Sequence, residues 1–170
     1  MIAILTALSF IIYQDFKFRA VSWVVFPILF MLAVINGVQY VGAAELMRSS
    51  LINIGFVVAI FISLTIYFSI KNRSFTNIID NQIGVADLLL LLVICTVFSP
   101  VNFLIYYVSS LFLITLVSAG YIILKQNTKA EIPLAAGFSA TLICILVFQM
   151  SSVDVNLYDD MLALQVLNKL

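Results

Sequence analysis

Asp87 sits inside an otherwise apolar run, Ile83 to Phe98. A carboxylate at that depth in a bilayer costs roughly 2.5–3.5 kcal/mol on insertion scales, so it marks a functional site by default. A second acid, Asp15, follows the first apolar segment in the polar cluster Gln14-Asp15-Phe16-Lys17-Phe18-Arg19. Two carboxyl groups brought close together cannot easily both ionise, so they share one proton and titrate as a coupled pair. The charged member takes a proton from water and the neutral member donates a hydrogen bond to a scissile carbonyl. That is general acid–base hydrolysis with neither metal nor covalent intermediate, and it suits a chain with 0 His. The plain alternatives are a membrane-edge helix cap for Asp87 and an ordinary interfacial acid for Asp15. Lys17 and Arg19 are topology determinants on the plain reading. On the functional one they tune the acid pair or position a substrate.

The composition sets the environment for these acids. Of 170 residues, 64% are hydrophobic and 9% charged, against about 25% charged in soluble domains. The expectation is an integral membrane protein, all-α, a polytopic transmembrane bundle of about six spans, each run approaching the ~20 apolar residues that cross a bilayer. The runs do not alternate, which disfavours a β-barrel. A formal net charge of +0 points to no nucleic-acid partner and no polybasic lipid patch. Cys95 and Cys144 lie singly in apolar segments and read as small core residues. No cofactor is expected.

The elements that must position the acids follow from the apolar runs. The first is Met1 to about Tyr13, extending through Asp15 toward Phe18 if the helix continues. It lacks a basic leader and a small-residue cleavage site, so a removable signal peptide is not expected. The second runs from Val21 to Tyr40, with Trp23 and Tyr40 as interfacial anchors and Pro27 either kinking it or occupying its first turn. Gly42 to Ser50, with Glu45 and Arg48, reads as a loop. The third run is Leu51–Ile70, the fourth Ile83–Phe98, the fifth Val101–Leu124 and the sixth from Ile132-Pro133 to Met150. Ser99-Pro100 is a tight turn, and Pro133 marks a helix start. Residues 1–150 thus form one transmembrane domain. Residues 151–170 form a polar tail able to make a short amphipathic helix capped by Ser152 or Asp154.

Basic residues orient the bundle. Lys17 and Arg19, Lys71 and Arg73, and Lys125 and Lys129 fall in the odd-numbered loops, whereas the even loops and tail carry only Arg48 and Lys169. The positive-inside rule then puts the odd loops in the cytoplasm and both termini outside. Asp15 and Asp87 lie at the cytoplasmic ends of their helices at similar depth.

Three stretches resemble one family. Asp15-Phe16-Lys17-Phe18-Arg19-Ala20-Val21 resembles the Asp-x-Lys-x-Arg-x-Ile/Val segment after the first helix of type IV prepilin peptidases. Gly84-Val85-Ala86-Asp87 resembles the Gly-x-Gly-Asp motif of the wider class of intramembrane aspartyl proteases. Ile132-Pro133-Leu134 is similar to the Ile-Pro-Phe element that opens that family's last helix. The resemblance runs from Met1 to Met150. It implies Asp15 and Asp87 as the catalytic pair and Gly84 and Ala86 as packing support around them. The implied reaction is removal of a short basic leader from a pilin-like precursor at the cytoplasmic face of a bacterial inner membrane. The precursor and the lipid bilayer are the implied partners.

The chain departs from the family pattern at two points. Ala86 stands where the motif usually has Gly, and Ser22-Trp23 replaces the usual Asn after the first stretch. It also lacks the Cys-x-x-Cys cytoplasmic insert and the glycine-rich S-adenosylmethionine loop of the larger members. A peptidase without methyltransferase activity is therefore expected, or an inactive relative serving as a scaffold in a secretion or pilus assembly. A small transporter using Asp87 as an ion or proton site is the alternative from another class.

Overall fold

A computed structural model of the chain describes residues 1–72, 84–125, 133–151 and 156–160. Among these residues the architecture is six α-helices: α1 (Ile2–Phe18), α2 (Val25–Val41), α3 (Ala43–Asn72), α4 (Val85–Ile94), α5 (Pro100–Lys125) and α6 (Leu134–Ser151). Three of them, α3, α5 and α6, are long and apolar enough to cross a membrane. The other apolar helices are shorter: α2 has 17 residues and α4 only 10. At about 1.5 Å of rise per residue α4 reaches roughly half of a 30 Å hydrocarbon core.

Helix α1 lies mainly against α6 and also touches α2; α2 contacts α3 and α4, and α5 contacts α6 and α3. One core joins them, with Leu8 and Ile11 of α1, Leu29 of α2, Leu90 and Ile94 of α4, Phe103 and Tyr106 of α5 and Leu142 of α6 nearly or wholly inaccessible. The outward faces are apolar as well, with Met31, Ile62, Phe112 and Val117 all exposed. A soluble protein does not leave this much contiguous apolar surface uncovered; a helix bundle in lipid does.

Helix α2 begins at Val25, four residues after the expected Val21, and two further expected boundaries fail, each for a physical reason. Residues 42–50 do not form a loop: α3 starts at Ala43 and carries Glu45 and Arg48 within it. Ala, Glu, Leu, Met and Arg are all strong helix formers, and Glu45 in the first turn favours the helix dipole. The whole connection from α2 to α3 is Gly42, whose φ of 80° ends α2 while its N–H donates to Val38 O at 3.0 Å. The fourth run likewise does not stay helical to Phe98. Thr96 Oγ1 donates to Val93 O at 2.7 Å, and residues 95–98 turn instead. Asn53 on α3 then donates its side-chain amide to Cys95 O and Phe98 O, at 3.0 and 2.8 Å. Irregular backbone is tolerated at such depth only where protein groups satisfy it.

Other expectations are met. The first helix does continue through Asp15 to Phe18, and Pro27 does lie in the first turn of α2. Cys95 is buried, but Cys144 is exposed on α6 and is no core residue; it belongs to the outward apolar face. In the tail, Ser152 and Asp154 lie outside the described residues, as do Arg73, Lys129 and Ile132. Residues 156–160 are not helical. They fold back on the start of α5: Ser99 N–H donates to Leu157 O at 3.0 Å, Asn102 Nδ2 to Leu157 O and Asp159 O, and Val101 N–H to Asp160 Oδ1. Leu157 and Tyr158 are buried, and Tyr158 stacks on Tyr40 at the end of α2.

Candidate active site

Asp15 falls in the last turn of α1, and Asp87 is the third residue of α4. Both are half-buried. Their helices run in opposite senses relative to the site: α1 arrives with its C-terminal end, α4 departs with its N-terminal end. Helix α6 joins them. Its first turn has amides with no partner inside the helix, and Pro133, immediately before it, has no N–H to offer. Ala136 N–H donates to Asp15 Oδ2 at 2.8 Å. The carboxylate of Asp87 lies against the backbone amides of Ala135 and Gly84 and within electrostatic reach of Asp15. A helix N-terminus with two free amides is well suited to hold two acids side by side.

At the start of α4 no side chain caps the helix. Gly84 is its N-cap, in extended conformation, and the N–H groups of Asp87 and Leu88 return to Gly84 O at 3.1 and 3.3 Å. A Cβ at position 84 would stand 3.3 Å from Asp87 Oδ2, tighter than ordinary contact. Glycine here therefore keeps one oxygen of Asp87 unobstructed.

Asp15, Arg19, Ala20, Val21, Gly84, Ala86, Asp87, Pro133 and Leu134 line one open cleft of about 140 Å³. That volume holds several waters or a stretch of extended backbone, but no bulky cofactor. Among the described residues no group of three or more His, Cys, Asp and Glu is placed to hold a metal ion. Chemically, the arrangement offers two carboxyl groups, a water-accessible space that both line, and little steric bulk on the Gly84 side.

Of the site residues read from the sequence, Asp15, Asp87, Gly84, Ala86 and Arg19 meet in this cleft. Lys17 does not. Its Nζ donates to Tyr13 Oη at 2.6 Å and stands 5.1 and 5.2 Å from the ring centres of Tyr13 and Phe18. Arg19 adopts a left-handed backbone with φ 53° as the C-cap of α1, its N–H donating to Asp15 O at 3.1 Å. An arginine in that conformation is uncommon; it turns the chain straight from Asp15 into the cleft wall. Sequence reasoning passed over Ala20 and Val21 as wall, and Ala136 as an amide donor. Their only signal was adjacency to the Asp15 and Pro133 stretches.

Comparison of the chain with protein-family models, with curated proteins and with solved structures returned no match in any of the three.

Proposed function

We propose that this protein is a membrane aspartyl endopeptidase of the prepilin-peptidase type, in which Asp15 and Asp87 activate water against a peptide bond. The observation that carries the reading is the convergence of three stretches distant in sequence, around Asp15, Asp87 and Pro133, on one cleft. They are the same three stretches that resemble the family. In this reading one carboxyl group of the pair takes a proton from water while the other protonates the carbonyl oxygen. The substrate is a pilin-like precursor whose leader is removed.

The proposal includes a topology of about six membrane-embedded helices, with α1, α2 and α4 spanning or entering the bilayer beside α3, α5 and α6. The cleft faces the cytoplasm of a bacterial inner membrane. Lys17 and Arg19, at the α1 end that carries Asp15, and Lys71, at the C-terminal end of α3, support that orientation. A cysteine introduced at Lys71 is expected to react with a membrane-impermeant thiol reagent only from the cytoplasmic side, and one introduced at Glu45 only from outside.

The activity is tested by mixing purified protein in lipid vesicles with a pilin-like precursor of the same organism. Leader removal that disappears in Asp87→Asn supports the reading. A well-folded wild type that cleaves none of several precursors favours the scaffold alternative, in which the Ala86 methyl, itself part of the cleft wall, marks a site no longer used.

A further inference from the structure

Among the described residues, one wall of the cleft has backbone groups that no other group occupies. Ala20 and Val21 belong to no helix and no turn. Neither their N–H nor their C=O groups form a hydrogen bond among the described residues, although both residues line the cleft with Asp15 and Asp87. Their neighbours, in contrast, are tied down. On one side Arg19 N–H donates to Asp15 O; on the other Ser22 N–H donates to Gln14 Oε1 at 2.9 Å, and Ser22 O accepts from Val25 N–H at 3.1 Å. A two-residue edge is thus fixed at both ends and, among the described residues, left unpaired in between. Gln14 is the residue before Asp15, so the same turn of α1 sets the acid and anchors the edge.

Backbone groups near a membrane surface that lack a protein partner must find water or a ligand. An extended peptide supplies a matching row of donors and acceptors, as in recognition by strand addition to an exposed edge. We infer that Ala20–Val21 is the rail on which an extended segment of the substrate pairs by its backbone, laying its scissile bond across Asp15 and Asp87, with Gln14 as the positioning residue that holds the rail. The inference rests on the peptidase reading. The ligand class is an extended, unfolded peptide flanking the cleavage point; pairing through the backbone makes few demands on its side chains.

The test uses the full-length protein in lipid vesicles and a synthetic pilin-like precursor peptide. One copy is unmodified, and in others a single amide near the cleavage point is replaced by an ester, which removes one N–H. Val21→Pro removes the rail's N–H and sets a ring where the paired segment would lie. The expected result is that one ester raises KM about five- to tenfold on the wild type, the loss of one hydrogen bond, while kcat changes little. Val21→Pro, whose ring keeps the segment off the rail's carbonyls as well as removing its N–H, raises KM for the unmodified peptide by at least that factor, and the same ester then adds no further penalty. Gln14→Leu shifts KM in the same direction without abolishing turnover. If no ester raises KM on the wild type, the rail is overturned, whether or not the proline variant folds. It is equally overturned if the ester penalty persists in full in folded Val21→Pro. A wild type that cleaves no precursor at all removes the peptidase reading and this inference with it, an outcome distinct from cleavage that ignores the esters.

Discussion

Gly84 and Ala86 are small residues on the same short stretch, yet they differ in what they protect. Position 84 faces the carboxylate: an added Cβ would come to 3.3 Å from Asp87 Oδ2. Gly84→Ala is therefore expected to push Asp87 from its place and lower kcat by about tenfold or more, since sub-ångström misplacement of a reacting group is costly. Its exposed, extended backbone lets the protein fold as before, so a melting curve in detergent should barely move. A variant with full activity would show that Asp87 has room to spare. Ala86 already carries the extra methyl, and Ala86→Gly tests whether that methyl limits access. A rise in kcat/KM with a small loss of helix stability, up to about 1 kcal/mol, is the expected pattern on the peptidase reading.

Among the elements, α4 depends most on its surroundings. It ends at Ile94, about one turn before Phe98, where the apolar run was expected to carry it, and Asn53 accounts for where it ends. That side chain is 1% exposed and holds two carbonyls that a longer helix would have bonded to itself. Asn53→Leu leaves both carbonyls buried without a partner. It should destabilise the protein by roughly 2–3 kcal/mol, measurable as an earlier midpoint in chemical unfolding in detergent. At the α5–α6 contact, a Cβ at Gly137 would meet Ile114 Cγ1 at 2.5 Å, so Gly137→Ala forces the helices apart near the turn that holds both acids. Apolar runs bounded by Pro100 and Pro133 made α5 and α6 legible, because a proline ends one element and opens the next in the sequence itself. The start of α3 was obscured because Glu45 and Arg48 look like loop residues until their helix propensity is weighed. The end of α4 was not legible, because the group that sets it lies on another helix.

At the scale of the whole molecule, the bundle has an end that carries the two acids and a clasped end. The acids, Arg19 and the first turn of α6 occupy one. At the other, Tyr158 lies on Tyr40, and a Cβ at Gly37 would stand 3.2 Å from the Tyr158 ring. The returning tail segment joins α2 to the start of α5 there. Truncation after Ser151 should unseat Leu157 and Tyr158, costing roughly 2–5 kcal/mol from two lost apolar side chains. At low temperature it should leave the KM for precursor close to that of the full chain, because the clasp is remote from the cleft; a large KM change would link the two ends. The site itself was half legible. Asp87 announced itself as an acid in an apolar run, and Asp15 was joined to it by lying at the same end of the bundle under the positive-inside rule and by the resemblance. The α6 amide that holds Asp15 beside the cleft is the backbone N–H of Ala136, and no side-chain pattern reveals it.

The central claim is that Asp15 and Asp87 act as one unit on a peptide bond. The most direct measurement is the rate of leader removal from a pilin-like precursor in lipid vesicles by wild type, Asp15→Asn, Asp87→Asn and the double variant. Each single substitution should lower kcat by a factor on the order of 10³ or more, and the double should be no worse than either single, as for groups that work as a unit. Retention of wild-type rates by either folded single variant, or losses that multiply in the double, would contradict the account.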